Sequence, residues 1–157
     1  MSGFRRGVRL GIDVGRARVG VARCDPDGML AVPVETVARG EHSLDRLVEI
    51  AAEHEPLEFV VGLPVNLRGT DTASTADARE FAAALQERSG IPVRLVDERL
   101  STVTAHAALR SSGRSQKKSR SIVDQVAAVV LLQQAIDTEK STGNPAGATI
   151  PQDEEPA

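Results

Sequence analysis

From Val8 onward the chain alternates. Val8, Leu10 and Ile12 are apolar, while Arg9, Gly11 and Asp13 between them are not, the period of a strand with one buried face. Val19 and Val21 resume the alternation after Gly15, and so short a gap predicts an antiparallel hairpin. In "DPDG", Asp25 to Gly28, proline and glycine stand where a turn wants them, and "MLAVPVETV" returns to extended chain. The period then changes. Leu44, Leu47, Val48 and Ala51 follow the i, i+3, i+4, i+7 spacing of a helix, with Ser43 as its N-cap. "EFVVGL" is a continuous apolar run, as expected of a strand buried on both faces. Ala78, Phe81, Ala82 and Leu85 mark a second helix capped near Ser74, "IPVRLV" is a further strand, and another helix is predicted from Ser101 to Arg110.

"RSSGRSQKKSR", Arg110 to Arg120, has five basic residues, no acid and a glycine among serines, and reads as a mobile loop. Ser121 then caps a final helix with the stripe Val123, Val126, Ala127, Val130, Leu131. Residues 1–140 form the predicted domain. The stretch 141–157, rich in Gly, Pro and acids, has too little apolar surface to offset the entropy of ordering and reads as a disordered tail.

Three antiparallel strands followed by strands alternating with helices predict an α/β fold: a five-stranded mixed sheet flanked by helices. The carboxyl ends of the first, fourth and fifth strands then share one edge, where ligand and catalytic groups of open α/β sheets collect.

Charge and composition narrow the chemistry. The net charge of -3 is carried by Asp153, Glu154 and Glu155, leaving 19 basic and 19 acidic side chains in residues 1–140, so local patches govern any contact with nucleic acid. Three Phe and no Trp or Tyr exclude a base-stacking platform. The single cysteine, Cys24, excludes an internal disulfide or a thiolate metal cluster and points to a reducing, cytoplasmic setting. No secretory signal or membrane span is recognisable, so a soluble protein is expected. His42, His54 and His106 lack metal-ligand spacing.

Three acidic positions map to the shared edge: Asp13 ending the first strand, Asp97 and Glu98 of "DER" ending the fifth, and Asp124 in the first turn of the last helix. Hard oxygen ligands from separate segments suit Mg2+ or Mn2+, and a two-ion site activates water and stabilises the leaving oxygen of a phosphodiester. Each also has a plainer reading. Asp13 can shape the turn before Gly15; Asp124 can complement a helix dipole; "DER" can be a surface ion pair through Arg99. The basic loop, with Arg114, Lys117 and Lys118, is either a solvated connection or a phosphate grip, and the same holds for Arg16 and Arg18 in the hairpin. "GLPVNLRGT" is a surface loop or a substrate loop whose Asn66, Arg68 and Thr70 donate to phosphate or sugar oxygens.

With "LGIDVGRARVGVA", "VVGLPVNLRGTDTAST", "VRLVDERLSTVTA" and "KKSRSIVDQVAAVVLLQQAID" in this order, the chain resembles the YqgF (RuvX, Holliday junction resolvase-like) family of the RNase H-like superfamily. The resemblance implies a nuclease processing the 5' end of pre-16S rRNA, with Holliday junction resolution on branched DNA as the alternative. It carries the family's metal-binding acids over to Asp13, to Glu98 in preference to Asp97, and to Asp124. Arg68 stands where the family often has an acid, which strengthens phosphate contact. Lys117, Lys118 and Arg99 would hold the substrate. A homodimer is a candidate assembly. An actin-like ATPase is the rival enzyme, but it needs two related halves closing over nucleotide, and one is present. A binding module that has lost catalysis is the non-enzymatic rival; all three acidic positions are occupied, which counts against it.

Overall fold

The computed structural model describes residues 4–64, 72–97 and 116–151, with 116–124 described by backbone alone. Strands β1 (Arg9–Val14), β2 (Arg18–Cys24) and β3 (Ala31–Ala38) are followed by helix α1 (Ser43–His54), strand β4 (Glu58–Leu63), helix α2 (Ala73–Ser89), strand β5 (Val93–Asp97), helix α3 (Gln116–Thr142) and strand β6 (Ala148–Thr149). The sheet order is β3-β2-β1-β4-β5-β6. The first three strands pair antiparallel and β4 and β5 add in parallel to β1, as the alternation predicts.

Two cores form on the two faces. Leu10, Ile12, Val14, Phe59, Val61 and Val93 pack with Leu47 and Ile50 of α1 and Phe81 and Leu85 of α2. On the other face Ala22, Cys24 and Val60 pack with Ala128, Leu131, Leu132 and Ile136 of α3. Every residue of β4 is buried, because helices cover it from both sides.

Several boundaries differ from the sequence reading. Ser43 is the first residue of α1, and the cap position is His42. The Ser43 hydroxyl closes the preceding turn, accepting from Gly40 N–H and donating to the Ala38 carbonyl. For α2 the cap is Thr72, not Ser74, because Thr72 and Thr75 exchange side-chain and backbone bonds in a capping box. The predicted basic loop ends early: α3 begins at Gln116, so Ser121 lies inside the helix and Asp124 in its third turn. Lys and Arg are good helix formers, and an all-polar turn leaves no apolar period to read. At the other end α3 runs to Thr142, and Ala148–Thr149 pair antiparallel with β5 as a sixth strand, so ordered structure continues past residue 141. The helix predicted over 101–110 lies outside the described residues. Among those described, no helix is long and apolar enough to cross a membrane.

Candidate active site

The parallel register aligns the carboxyl ends of three strands. Ile12 is level with Val61, Val61 with Leu95, and Leu63 with Asp97. Asp13, one residue past Ile12, therefore sits at the common edge, and it is buried, 9% exposed. Leu10, Ile12 and Val14 belong to the α1–α2 core, so alternation turns Arg9, Gly11 and Asp13 toward α3.

Helix α3 runs antiparallel to β1. Glu139 contacts Arg9 at the start of the strand, and a side chain at Gly11 would meet Leu132 Cβ at 2.8 Å and the Ala128 carbonyl at 2.9 Å. Gly11 thus lets the helix approach closely. Going from Gly11 to Asp13 advances about 6.7 Å along the strand, and going back from Ala128 to position 124 advances about 6 Å along the helix. Both steps point to the same sheet edge. Position 124 consequently comes level with Asp13.

A second, lateral observation agrees. Asp13 pairs with Gly20, and Gly20 with Thr36. Gln125 Nε2 donates to Thr36 Oγ1 at 2.8 Å, so α3 crosses this row at position 125. The helix also has two distinct flanks. Leu131, Gln134, Ala135 and Thr138 line a cavity of about 400 Å³ against β5, whereas Gln133 and Lys140 bond Ala31 and Gly28 near the start of β3. At about 100° per residue, position 124 falls within the arc of 131, 135 and 138, toward β1 and β5, and position 125 on the β3 flank.

Asp97 is exposed and ends β5. Val93 and Leu95 pack with the α1–α2 core and Val96 with the α3 core; at the strand's end Asp97 lines the cavity beside α3 together with Leu131 and Gln134. Glu98 and Arg99, with Asn66, Arg68, Thr70 and Arg114, lie outside the described residues. Among the described side chains no group of three His, Cys, Asp or Glu is gathered. Lys117 and Lys118 are in the first turn of α3, about 10 Å along the helix from position 124.

Arg16 is exposed in the β1–β2 turn and Arg18 is half-buried at the start of β2. The turn is closed by Gly15 N–H donating to the Arg18 carbonyl at 2.8 Å, and a Cβ at Gly15 would lie 2.7 Å from that oxygen. Arg39, which the sequence reading passes over, anchors the turn from β3's end. Its N–H donates to the Ala17 carbonyl at 2.9 Å. Its guanidinium donates to the Gly15 carbonyl at 2.8 Å, grips both Asp77 oxygens at 2.9 and 2.8 Å, and lies 4.8 Å from the Phe81 ring centre. Hydrogen bonds from Arg39 hold the Asp77 carboxyl below its ordinary range. Arg16, Arg39 and Asp77 line an open cavity of about 420 Å³. No periodic or motif signal marks Arg39 or Asp77; they meet only through the fold.

At the opposite ends of the same strands lies a buried ion network. Glu139 accepts from Arg5 N–H at 2.7 Å, from Arg5 Nη2 at 2.7 Å and from Arg9 Nη2 at 2.9 Å. Glu58 accepts from Arg5 at 3.1 and 3.0 Å and from Arg94 Nε at 3.2 Å. Cys24 is also at this end, accepting from Arg9 N–H at 3.3 Å. Burial pushes its thiol up from the ordinary value, away from the reactive thiolate.

Comparison with known proteins gives a consistent picture. A family model described as "RuvX: Holliday junction resolvase" matches residues 7–138. A protein of Leifsonia xyli subsp. xyli named "Putative pre-16S rRNA nuclease" is 57% identical over 149 residues, 94% of this chain and 96% of that one. A protein of the same name from Clavibacter michiganensis subsp. michiganensis is 53% identical over 151 residues, 94% of each chain. Among solved structures, T. thermophilus RuvC in complex with Holliday junction substrate matches with a TM-score of 0.55 at 18% identity, over 88% of this chain and 98% of that one; at that identity the likeness is one of fold.

Proposed function

Because the chain belongs to the RuvX Holliday junction resolvase family, we propose that it is a divalent-metal-dependent nuclease that trims the 5' end of pre-16S rRNA. Its cutting site would be the sheet edge at Asp13. The observation that carries the reading is the register that brings position 124 of α3 level with the buried Asp13. Asp13, Glu98 and Asp124 would hold the ions. Glu98 is preferred to Asp97, which is exposed at the end of β5 beside the cavity that α3 lines. Carboxylate oxygens are the donors that Mg2+ and Mn2+ prefer, and a carboxylate buried between sheet and helix supplies such a donor. Bound ions would activate the attacking water and stabilise the leaving oxygen.

The chain's own contribution is to hold the substrate across that edge. Lys117 and Lys118 in the first turn of α3, with Arg114 and Arg99, would grip phosphates on one side of the scissile bond. Arg16 and Arg18 would grip those on the other. Asn66, Arg68 and Thr70, following β4, would bond phosphate or sugar oxygens. The nuclease domain would extend beyond residue 140 to include β6, which pairs with β5 in the same sheet. The buried Cys24 thiol suits a reducing compartment, and we assign the protein to the cytoplasm.

Branched DNA is the second reading. It is favoured by the fold shared with RuvC, which has been solved in complex with Holliday junction substrate. The test is parallel cleavage of a 5'-extended 16S precursor and a four-way DNA junction by wild type and Asp13→Asn, with and without EDTA. The rRNA reading expects metal-dependent trimming of the precursor that Asp13→Asn abolishes. Equal cleavage by the variant would refute the site, and cleavage of the junction alone would move the substrate to DNA.

A further inference from the structure

Near the acids, the bond from Gln125 Nε2 to Thr36 Oγ1 joins residues 89 positions apart and has no part in the proposed chemistry. Both residues are half-buried. The bond spans from α3 to the strand farthest from β1 in the antiparallel half of the sheet, along the row in which Thr36 pairs with Gly20 and Gly20 with Asp13. The next side-chain bond on that flank, from Ala31 N–H to Gln133 Oε1 at 2.9 Å, is eight residues on, about 12 Å along the helix.

Rotation is what such a lateral bond controls. The close packing of Ala128 and Leu132 on Gly11 sets the height of α3 above β1, and the Glu139 network sets its axial position. The packing of Ala128, Leu131 and Leu132 on Ala22, Cys24 and Val60 and the Gln133 bond to Ala31 hold the roll of the helix body; toward the site end, beyond Ala128, the lateral hold among the described side chains is the Gln125–Thr36 bond. Position 124 is adjacent to 125, so a roll that parts Gln125 from Thr36 swings 124 by the same angle. At a radius of about 5–6 Å, a roll of about 20° displaces a side chain by about 2 Å. That is large beside the roughly 0.2 Å tolerance of a metal–ligand distance.

We propose that Thr36 and Gln125 are positioning residues for the metal-binding acids: their hydrogen bond fixes the roll of α3 that presents position 124 to Asp13. The proposal rests on the nuclease reading above and adds to it two residues that touch neither ion nor substrate.

Four variants of the full chain test it. Thr36→Val removes the acceptor at nearly constant volume, Gln125→Met removes the donor but keeps the stem, a double variant combines them, and Thr36→Ser retains the hydroxyl. Two quantities are read: the rise in melting temperature with Mn2+ alone, followed by circular dichroism, and the Mn2+ concentration for half-maximal cleavage. Thr36→Val, Gln125→Met and the double variant should each need roughly 10-fold more Mn2+ in both readouts. The double variant should be no worse than either single, and Thr36→Ser should match wild type. A contact that merely stabilised the fold would lower metal-free melting and leave the Mn2+ dependence unchanged. That result, or additive effects in the double variant, overturns the proposal. If wild type shows no Mn2+-dependent melting and Asp13→Asn cleaves normally, the metal site at Asp13 falls and takes the tether with it. If wild type responds to Mn2+, Asp13→Asn does not, and Thr36→Val responds as wild type does, the tether alone is refuted.

Discussion

Replacing Glu139 by Gln probes the buried network that ties α3 to the sheet. The Glu139 side chain is 3% exposed, that of Arg9 2% and that of Arg5 39%. The substitution keeps the shape but removes the charge that Arg9 Nη2 meets at 2.9 Å. Arg9 would retain the carbonyls of Gly7 and Arg5 at 2.8 and 2.6 Å, and Glu58 only at 4.0 Å. Three guanidinium groups would then share one carboxylate. Breaking a buried pair from one side costs about 3–5 kcal/mol. The exposure of Arg5 discounts its share, which puts the expected loss near 3 kcal/mol. For a chain of this length that is a fall of roughly 6–12 °C in melting temperature.

The pH dependence has a definite sign. Burial alone would raise the Glu139 pKa, but hydrogen bonds from Arg5 and the charges of Arg9 and Arg5 outweigh it, and the net direction is down from 4.5. The stabilisation is therefore complete above pH 4.5 and is lost as pH falls through the lower, folded value. Thermal melts of wild type and Glu139→Gln should differ most at neutral pH and converge at the acid end. A gap of under about 1 kcal/mol at pH 7, or one that persists unchanged in acid, would show the network to be solvated and the reasoning wrong.

Two further outcomes bear on the site. Gly11→Ala places a methyl 2.8 Å from Leu132 Cβ and 2.9 Å from the Ala128 carbonyl; neither can rotate away, so α3 must lift. We expect a loss of about 1–3 kcal/mol, measured by denaturant unfolding. The fall in kcat should be larger, up to about 100-fold, because the lift occurs one turn from position 124; a kcat that merely tracks the folded fraction would count against the helix as a ligand carrier. Arg39→Met keeps the apolar stem beside Phe81 but deletes the donors to the Gly15 carbonyl and Asp77. With the pair partly exposed, stability should drop by about 1–2 kcal/mol. KM for nucleic acid should rise with kcat nearly constant, as the turn bearing Arg16 loosens; an unchanged KM would remove Arg16 from the substrate grip.

What the sequence revealed followed from periodicity. The alternation of Val8 to Asp13 and Val19 to Val21 is visible because the large apolar residues take the α1–α2 face while the α3 face of β1 carries Arg9, Gly11 and Asp13, and the hydrophobic run of β4 because both of its faces take apolar side chains. The start of α3 is hidden: "QKKSRS" carries no apolar period, and basic polarity reads as loop. β6 is hidden for another reason. Its two residues are exposed, and it is held by the Gln86 bond to the Ile150 carbonyl at 3.2 Å and by Gly147, whose positive φ and close approach to the Leu95 carbonyl admit no side chain. The ion network could not be read either, since Arg9 and Glu58 look like the polar positions of half-exposed strands until α3 covers them. Position 124 illustrates the limit on the site. Its part in a local helix start, as the sequence suggested, dissolves once α3 begins eight residues earlier. That the backbone at 124 comes level with Asp13 emerges only from the register of helix on strand.

That register also frames a test between a structural and a chemical duty for Asp13. The β1–β2 turn is closed by Gly15 and Arg18 and braced by Arg39, so its geometry has other sponsors. A carboxylate inside the last full residue pair but one of a six-residue strand bears a desolvation penalty that an apolar residue there would avoid. Sites that sacrifice stability in this way are characteristically functional. If Asp13 served the fold, Asp13→Asn would melt well below wild type in the absence of metal. If it serves catalysis, the variant should lose the melting-temperature gain that Mn2+ confers on the native chain. The two duties thus show in different arms of one melting experiment, the metal-free stability for the first and the Mn2+ response for the second.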